Sequence, residues 1–176
     1  IASVLHAQGR VAESLAMQEK VLDITRRTLG PDHDNVAVAL TNLGMVYTNE
    51  GMFAEALARY EEGLSIVRRN HAERNALEGK LLANIGTVYS RQGKLEDALG
   101  MFKKALRIFR KTLGPESEEA AGAQDSIGVA LFGQGKFDEA MEMYEGVLGF
   151  RRRVLGDEHG AVADTLFNMG ACKEKA

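Results

Sequence analysis

One side-chain type returns at a fixed register: Asn42, Asn84 and Asn168 share a 42-residue spacing, with Ser126 at the remaining position of that series. A primary amide offers both donors and an acceptor, the pairing groups that the backbone of an extended peptide needs. Asparagine is also a mediocre helix former, so its return within helical segments calls for a reason. Two reasons stand side by side: the amides grip a peptide, or they bond the neighbouring helix and set the packing of one repeat on the next. Lys80 and Arg91 project onto the same face as Asn84 and offer charge-assisted contacts to an acidic group or a C-terminal carboxylate. Asp125 and Asp164 lie on the corresponding face further along, so plain solvation is the other reading of those cations. Thr41, Met45, Asn49 and Thr87 complete the candidate surface.

Other reactive residues form no catalytic set. His33 and His159 occupy equivalent loop positions three repeats apart and cannot meet, while His6 and His71 stand elsewhere in the unit. No Cys or His pair has zinc-site spacing, and phosphate loops, nucleophile elbows and zinc-protease motifs are missing. Neither catalysis nor a metal or other cofactor is expected. The most regular charges are Arg26-Arg27, Arg68-Arg69, Arg110-Lys111 and Arg151-Arg152-Arg153, near the ends of helical segments where cations complement the negative end of the helix dipole. No aromatic stacking platform accompanies them, so nucleic acid is not an expected partner.

The elements that position these residues follow from the same period. Gly9, Gly51, Gly93 and Gly135 are equally spaced, as are Gly44, Gly86, Gly128 and Gly170. Laid over one another, the copies align Leu43, Ile85, Ile127 and Met169, and then Tyr60, Phe102 and Tyr144. Spacings of three and four between the columns are helical, and the glycine at 51, 93 and 135 breaks each copy into helix, short turn, helix. The glycine at 44, 86, 128 and 170 falls inside the first helix, where it costs about 1 kcal/mol against alanine. Close approach of the second helix explains it, with Ala56, Ala98 and Ala140 as the expected small partners and Ser14 in their place in the first copy.

Leu43-Gly44-x-x-Tyr47 with Ala56-x-x-x-Tyr60, and Ile85-Gly86-x-x-Tyr89 with Ala98-x-x-x-Phe102, resemble the signature of the tetratricopeptide repeat. The third copy keeps Ile127-Gly128 and Ala140-x-x-x-Tyr144 but places Leu131 where tyrosine belongs. The ordinary repeat has about 34 residues, and here the excess lengthens the second helix and its exit loop. With exit loops such as Leu29-Gly30-Pro31-Asp32-His33 and Leu113-Gly114-Pro115-Glu116, the unit resembles the 42-residue repeats of kinesin light chains. The resemblance implies an all-α fold, a right-handed superhelical solenoid of antiparallel helix-turn-helix repeats, with an asparagine at the matching place that commonly holds peptide backbone. Kinesin light chains favour acidic peptides containing tryptophan; this face is less basic than that preference needs, so the preference is not carried over.

The register divides the chain into a partial repeat at 1–37, repeats at 38–79, 80–121 and 122–163, and a helix at 164–176 that either opens a further repeat or caps the array. That last helix begins near Gly160, holds Phe167 and Met169 without a following second helix, and puts Lys173 in the column of Tyr47, Tyr89 and Leu131. One exit differs: His71-Ala72-Glu73-Arg74-Asn75 has no helix-stopping glycine, which predicts a different local connection.

At 176 residues, 45% apolar and two prolines, the composition is that of a folded chain. Charges interrupt every apolar run before the roughly 18 residues of a membrane span. A net charge of -3 with mixed signs gives no field that favours an anionic surface. The single cysteine, Cys172, points to a reducing compartment, and the expected location is cytoplasmic. The chain opens at Ile1 in mid-helix by this register, as a fragment would, so the missing targeting segment carries no weight. The expected function is a non-catalytic protein-protein interaction scaffold that binds an extended peptide on the concave face. The alternative is a structural spacer that self-associates through exposed repeat ends within a longer array.

Overall fold

The computed structural model describes residues 11–73 and 75–175, so His6, Gly9 and Arg74 lie outside them. Eight α-helices occur among the described residues: α1 Val11–Leu29, α2 Asp34–Asn49, α3 Phe53–Asn70, α4 Ala76–Arg91, α5 Leu95–Thr112, α6 Glu118–Gly133, α7 Phe137–Leu155 and α8 Gly160–Lys175. The chain divides into two compact units, Ile1–Val88 and Tyr89–Ala176, and the division falls within α4.

In the first unit α2 and α3 form an antiparallel hairpin, with α1 packed on α2. The turn is chemically determined. The Gly51 N–H donates to the Thr48 carbonyl at 3.2 Å and the Met52 N–H to the Tyr47 carbonyl at 2.9 Å, with Gly51 at φ +74°. This pair of bonds satisfies the last carbonyls of α2, and it needs a residue that tolerates the left-handed region at its centre. In the second unit the same pair recurs at Gly93 and Lys94, and at Gly135 and Lys136.

The core of the hairpin is an aromatic ring laid on a glycine. A Cβ built on Gly44 would stand 2.5 Å from Cε1 of Tyr60, and one on Gly128 would stand 2.6 Å from Cε1 of Tyr144. The close approach expected from the sequence is present, but the group that meets each glycine is a tyrosine ring rather than the alanine. Ala56 and Ala140 are nonetheless fully buried. Thr48 donates to the Gly44 carbonyl at 2.8 Å, so the Tyr60 hydroxyl, 3.1 Å away, donates to the Thr48 oxygen. The ring is held at both its face and its tip. Around it the first unit buries Val36, Leu40, Leu43, Val67 and Leu81, and the second buries Phe102, Ile108, Ile127, Val147 and Val162.

Three helices begin with equivalent side-chain caps: His33 Nδ1 accepts from the Asn35 N–H, Ser117 Oγ from the Ala120 N–H, and His159 Nδ1 from the Ala161 N–H. Each satisfies an N–H that the helix leaves without a carbonyl partner. The exit without glycine is different, as expected. There α3 ends on His71 in an extended conformation, and the Asn75 Oδ1 accepts from the Glu78 N–H at 3.0 Å to cap α4. His71 Nε2 bonds Asp34 Oδ2 at 2.5 Å, and the Asn70 amide donates to the Asp32 carbonyl and to Asp34 Oδ1. The Asn70 bond first, then the His71 contact, holds the Asp34 carboxyl below its ordinary range against the cost of its burial. The end of α3 is therefore tied to the start of α2 by side chains.

Alanine at Gly44 must displace the Tyr60 ring, and such overpacking costs about 1–3 kcal/mol, more than the roughly 1 kcal/mol that alanine gains in helix propensity. Gly170 meets no atom within 4 Å. Gly44→Ala should therefore lower the urea midpoint, while Gly170→Ala should raise it; equal shifts would refute the ring-on-glycine account.

Candidate functional site

On α2, Asn42, Met45 and Asn49 are spaced three and four apart, and all three are exposed on one helix face. Lys80, Asn84, Thr87 and Arg91 form the equivalent stripe along α4, with Asn84 half-buried and the others exposed. In the second unit Ser126 is half-buried on α6 and Asn168 is half-buried on α8. Thr41 does not join them. It is buried, and its hydroxyl donates to the Ala37 carbonyl at 2.7 Å. Thr48, further along α2, is buried too, against Tyr60. The exposed stripe is thus narrower than a projection with a single packing partner suggests, because a helix packed on two sides keeps only a strip for solvent.

Hydrogen bonding separates the candidates. Thr87 donates to the Ala83 carbonyl and Ser126 to the Gly122 carbonyl, so both hydroxyl protons return to their own helix. Lys80, Arg91 and Asn49 each take part in a polar or electrostatic contact. The amides of Asn42, Asn84 and Asn168 make no side-chain hydrogen bond among the described residues. Each keeps its donors and acceptor for an outside group.

Charged residues that the repeat pattern did not single out serve packing. Glu78 stands in the column of Val36, Ala120 and Val162; it is buried, and its carboxylate takes the Arg68 guanidinium at 3.0 Å. Arg151 stands in the column of Val67 and Phe109 with only 8% of its surface exposed. It donates to Thr165 Oγ1 at 2.8 Å and to the Ala161 carbonyl at 3.3 Å, with Asp125 Oδ1 at 3.7 Å. Burial pushes the Asp125 carboxyl up against the pull of Arg151. Other helix-end arginines also meet acids: Arg26 with Glu62, Arg69 with Asp32, and Arg153 with Glu116. A charge in an otherwise apolar column was the available signal, and the neighbouring arginines concealed it.

Cys172 is buried, and burial raises its thiol above the ordinary range, which makes it a poor nucleophile. No group of three or more His, Cys, Asp or Glu side chains among the described residues is placed to hold a metal ion. No helix among them is long and apolar enough to cross a membrane.

Comparison with known proteins places this geometry. A family model described as tetratricopeptide repeat matches residues 1–69, 77–152 and 119–176. Among solved structures, BtubC (BKLC) from P. vanneervenii is similar with a TM-score of 0.86 at 22% identity, over 99% of this chain and 69% of that one. A putative kinesin light chain from Podosopora anserina, with nearly identical TPR-like repeats, is similar with a TM-score of 0.79 at 21% identity, over 99% of this chain and 82% of that one. The apo form of RapI gives a TM-score of 0.81 at 14% identity, over 99% of this chain and 61% of that one. Nothing among the curated proteins matches. These likenesses show the fold, an all-α repeat fold of the solenoid class.

Removing one partner of a buried ion pair strands the other charge, whereas replacing both with apolar groups is often neutral or better. Asp125→Ala alone should destabilise the protein by at least about 1 kcal/mol in urea unfolding. Asp125→Ala with Arg151→Leu should restore the loss. A double variant no better than the single one would show that Arg151 does not depend on Asp125.

Proposed function

This chain belongs to the tetratricopeptide repeat family, and from that premise we propose that it is a non-catalytic interaction scaffold that binds an extended segment of a protein partner. The binding surface is the exposed stripe of its first helices, centred on Asn42 and Asn84 and lined by Met45, Asn49, Lys80, Thr87 and Arg91. Ser126 and Asn168 hold the same register on first helices of the second unit.

The observation that carries this reading is the free state of the amides. A packing asparagine would spend its donors on the neighbouring helix, yet Asn42, Asn84 and Asn168 spend none of theirs within the described residues. Free amides at equivalent positions of successive first helices, Asn42 and Asn84, suit an extended backbone, and they read it without demanding a particular side chain. Met45 adds an exposed, adaptable apolar surface beside Asn42. Thr41 is not part of the contact, because its side chain is turned into the protein.

Peptides selected from a random displayed library should be bound by the wild-type protein and measured by fluorescence anisotropy. Replacing Asn42 and Asn84 together by Ala should weaken them by about tenfold or more, the loss expected for one or two hydrogen bonds of about 1 kcal/mol or more each. Both side chains are free in the protein, so the melting temperature should hold. A lowered melting temperature with unchanged affinity would assign the amides to packing.

A further inference from the structure

Basic residues close every second helix, and on α1, α3 and α7 they meet acids. Arg27 takes Asp23, four residues back, at 2.7 Å; Arg68 and Arg69 take Glu78 and Asp32; Arg152 and Arg153 take Asp157 and Glu116. On α5 the basic residues are more numerous and are placed differently. Lys103, Lys104, Arg107, Arg110 and Lys111 are all exposed, and a helical step of about 100° per residue gathers them on one face. Lys103, Lys104, Arg107 and Arg110 make no ion pair or hydrogen bond among the described residues. The other copies of the repeat carry different residues at these positions. Lys103 stands in the column of Glu19, Glu61 and Glu145, and Arg107 in that of Asp23, Ser65 and Gly149. Where α1 joins Asp23 to Arg27, α5 sets Arg107 one turn before Lys111. Like charges at that spacing weaken a helix as much as unlike ones support it. The helix dipole accounts for Arg110 and Lys111 in the last turn, but its pull fades before Arg107 and Lys103 are reached.

We infer that this face of α5 is a docking surface for an acidic helical segment of a partner protein, with carboxylates set three and four residues apart. Charge complementarity names the chemistry, and spacing names the form. Cations at 103, 107 and 110 follow at steps of four and three residues, the steps at which a helix laid alongside presents its own side chains on one face. A broad anionic surface, such as a membrane or a nucleic acid duplex, fits less well. Glu96 and Asp97 are exposed in the first turn of α5, and α7 of the same unit exposes Glu142 and Glu145. An occupant one helix wide avoids them. The aromatic rings of α5, Phe102 and Phe109, are buried and give a base nothing to stack on. The face shares no residue with the extended-peptide surface.

The probe is a fluorescein-labelled, alanine-based helical peptide that carries glutamates at steps of four and three residues. The protein has a net charge of -3, so attraction of an acidic probe has to be local. Anisotropy titration with the full chain at low ionic strength should give saturable binding that weakens as salt is added. The same peptide with glutamine in place of glutamate should not bind. Lys103→Gln, Lys104→Gln and Arg107→Gln together should weaken binding by about tenfold or more, the loss expected when several exposed charge pairs are removed. Removing equal charge at Arg27, Arg152 and Arg153, each to Gln, should leave it unchanged, as should Asn42→Ala with Asn84→Ala. The three substituted side chains of α5 are exposed and unpaired, so the melting temperature of that variant should hold or rise. Absence of saturable binding, equal weakening by both triple variants, or tighter binding of duplex RNA or phosphatidylserine vesicles than of the peptide would overturn the inference. So would sedimentation of the wild type as a dimer that the α5 variant makes monomeric.

Discussion

The packing rests on one contact: an aromatic ring that lies where a side chain would otherwise be. With Tyr60 on Gly44 and Tyr144 on Gly128, the two helices of each hairpin approach closely enough for large flanking residues to close around the ring. A methyl group at either glycine would occupy space the ring already fills. The helix accepts glycine's cost of about 1 kcal/mol because the alternative is to move a buried aromatic, and interiors of protein density transmit such a shift to every neighbour. Direction follows from the same contact. The Tyr60 hydroxyl reaches Thr48, one turn beyond Gly44, and this ties the ring to the end of α2 where the turn begins.

The turn and the ring are coupled through adjacent residues. Thr48 serves twice, since its side chain receives the Tyr60 hydroxyl while its carbonyl receives the Gly51 N–H. Tyr47, next to it, supplies the carbonyl that takes the Met52 N–H and extends its own hydroxyl toward Glu19 of α1, 3.4 Å away. The last turn of α2 thus fixes the hairpin turn, the hairpin core and a contact to the preceding helix at once.

Much of this was legible in the sequence, and the exceptions share a cause. Period, helix boundaries, turn glycines and the small in-helix column all depend on local backbone geometry, which glycine and aliphatic spacing report directly. Thr41 and Arg151 are the exceptions, because residue type does not report environment. A threonine in a helix can return its proton to the carbonyl one turn back, so it is buried at little cost, and a polar letter in a helical wheel does not mark a wet face. Arg151 belongs to one of four basic clusters near the helix ends, yet among those residues it alone falls in the column of Val67 and Phe109. Its charge is accommodated by Thr165, a carbonyl and Asp125, partners drawn from two other helices that no local reading connects. The free amides are the converse case. Their recurrence was visible, but whether they were spent on packing depended on which groups the neighbouring helix set opposite them.

A helix in such a repeat has no burial of its own. Leu40 and Leu166 are the same residue in the same register with nearly the same neighbours in sequence, yet one is sealed and the other is open. What differs is the presence of a ring on the adjacent glycine. In a protein with one closed core, an exposed leucine-phenylalanine-glycine stripe would count as a defect of folding. In an array whose core is shared out between successive hairpins, every first helix is made with a face that only a second helix completes.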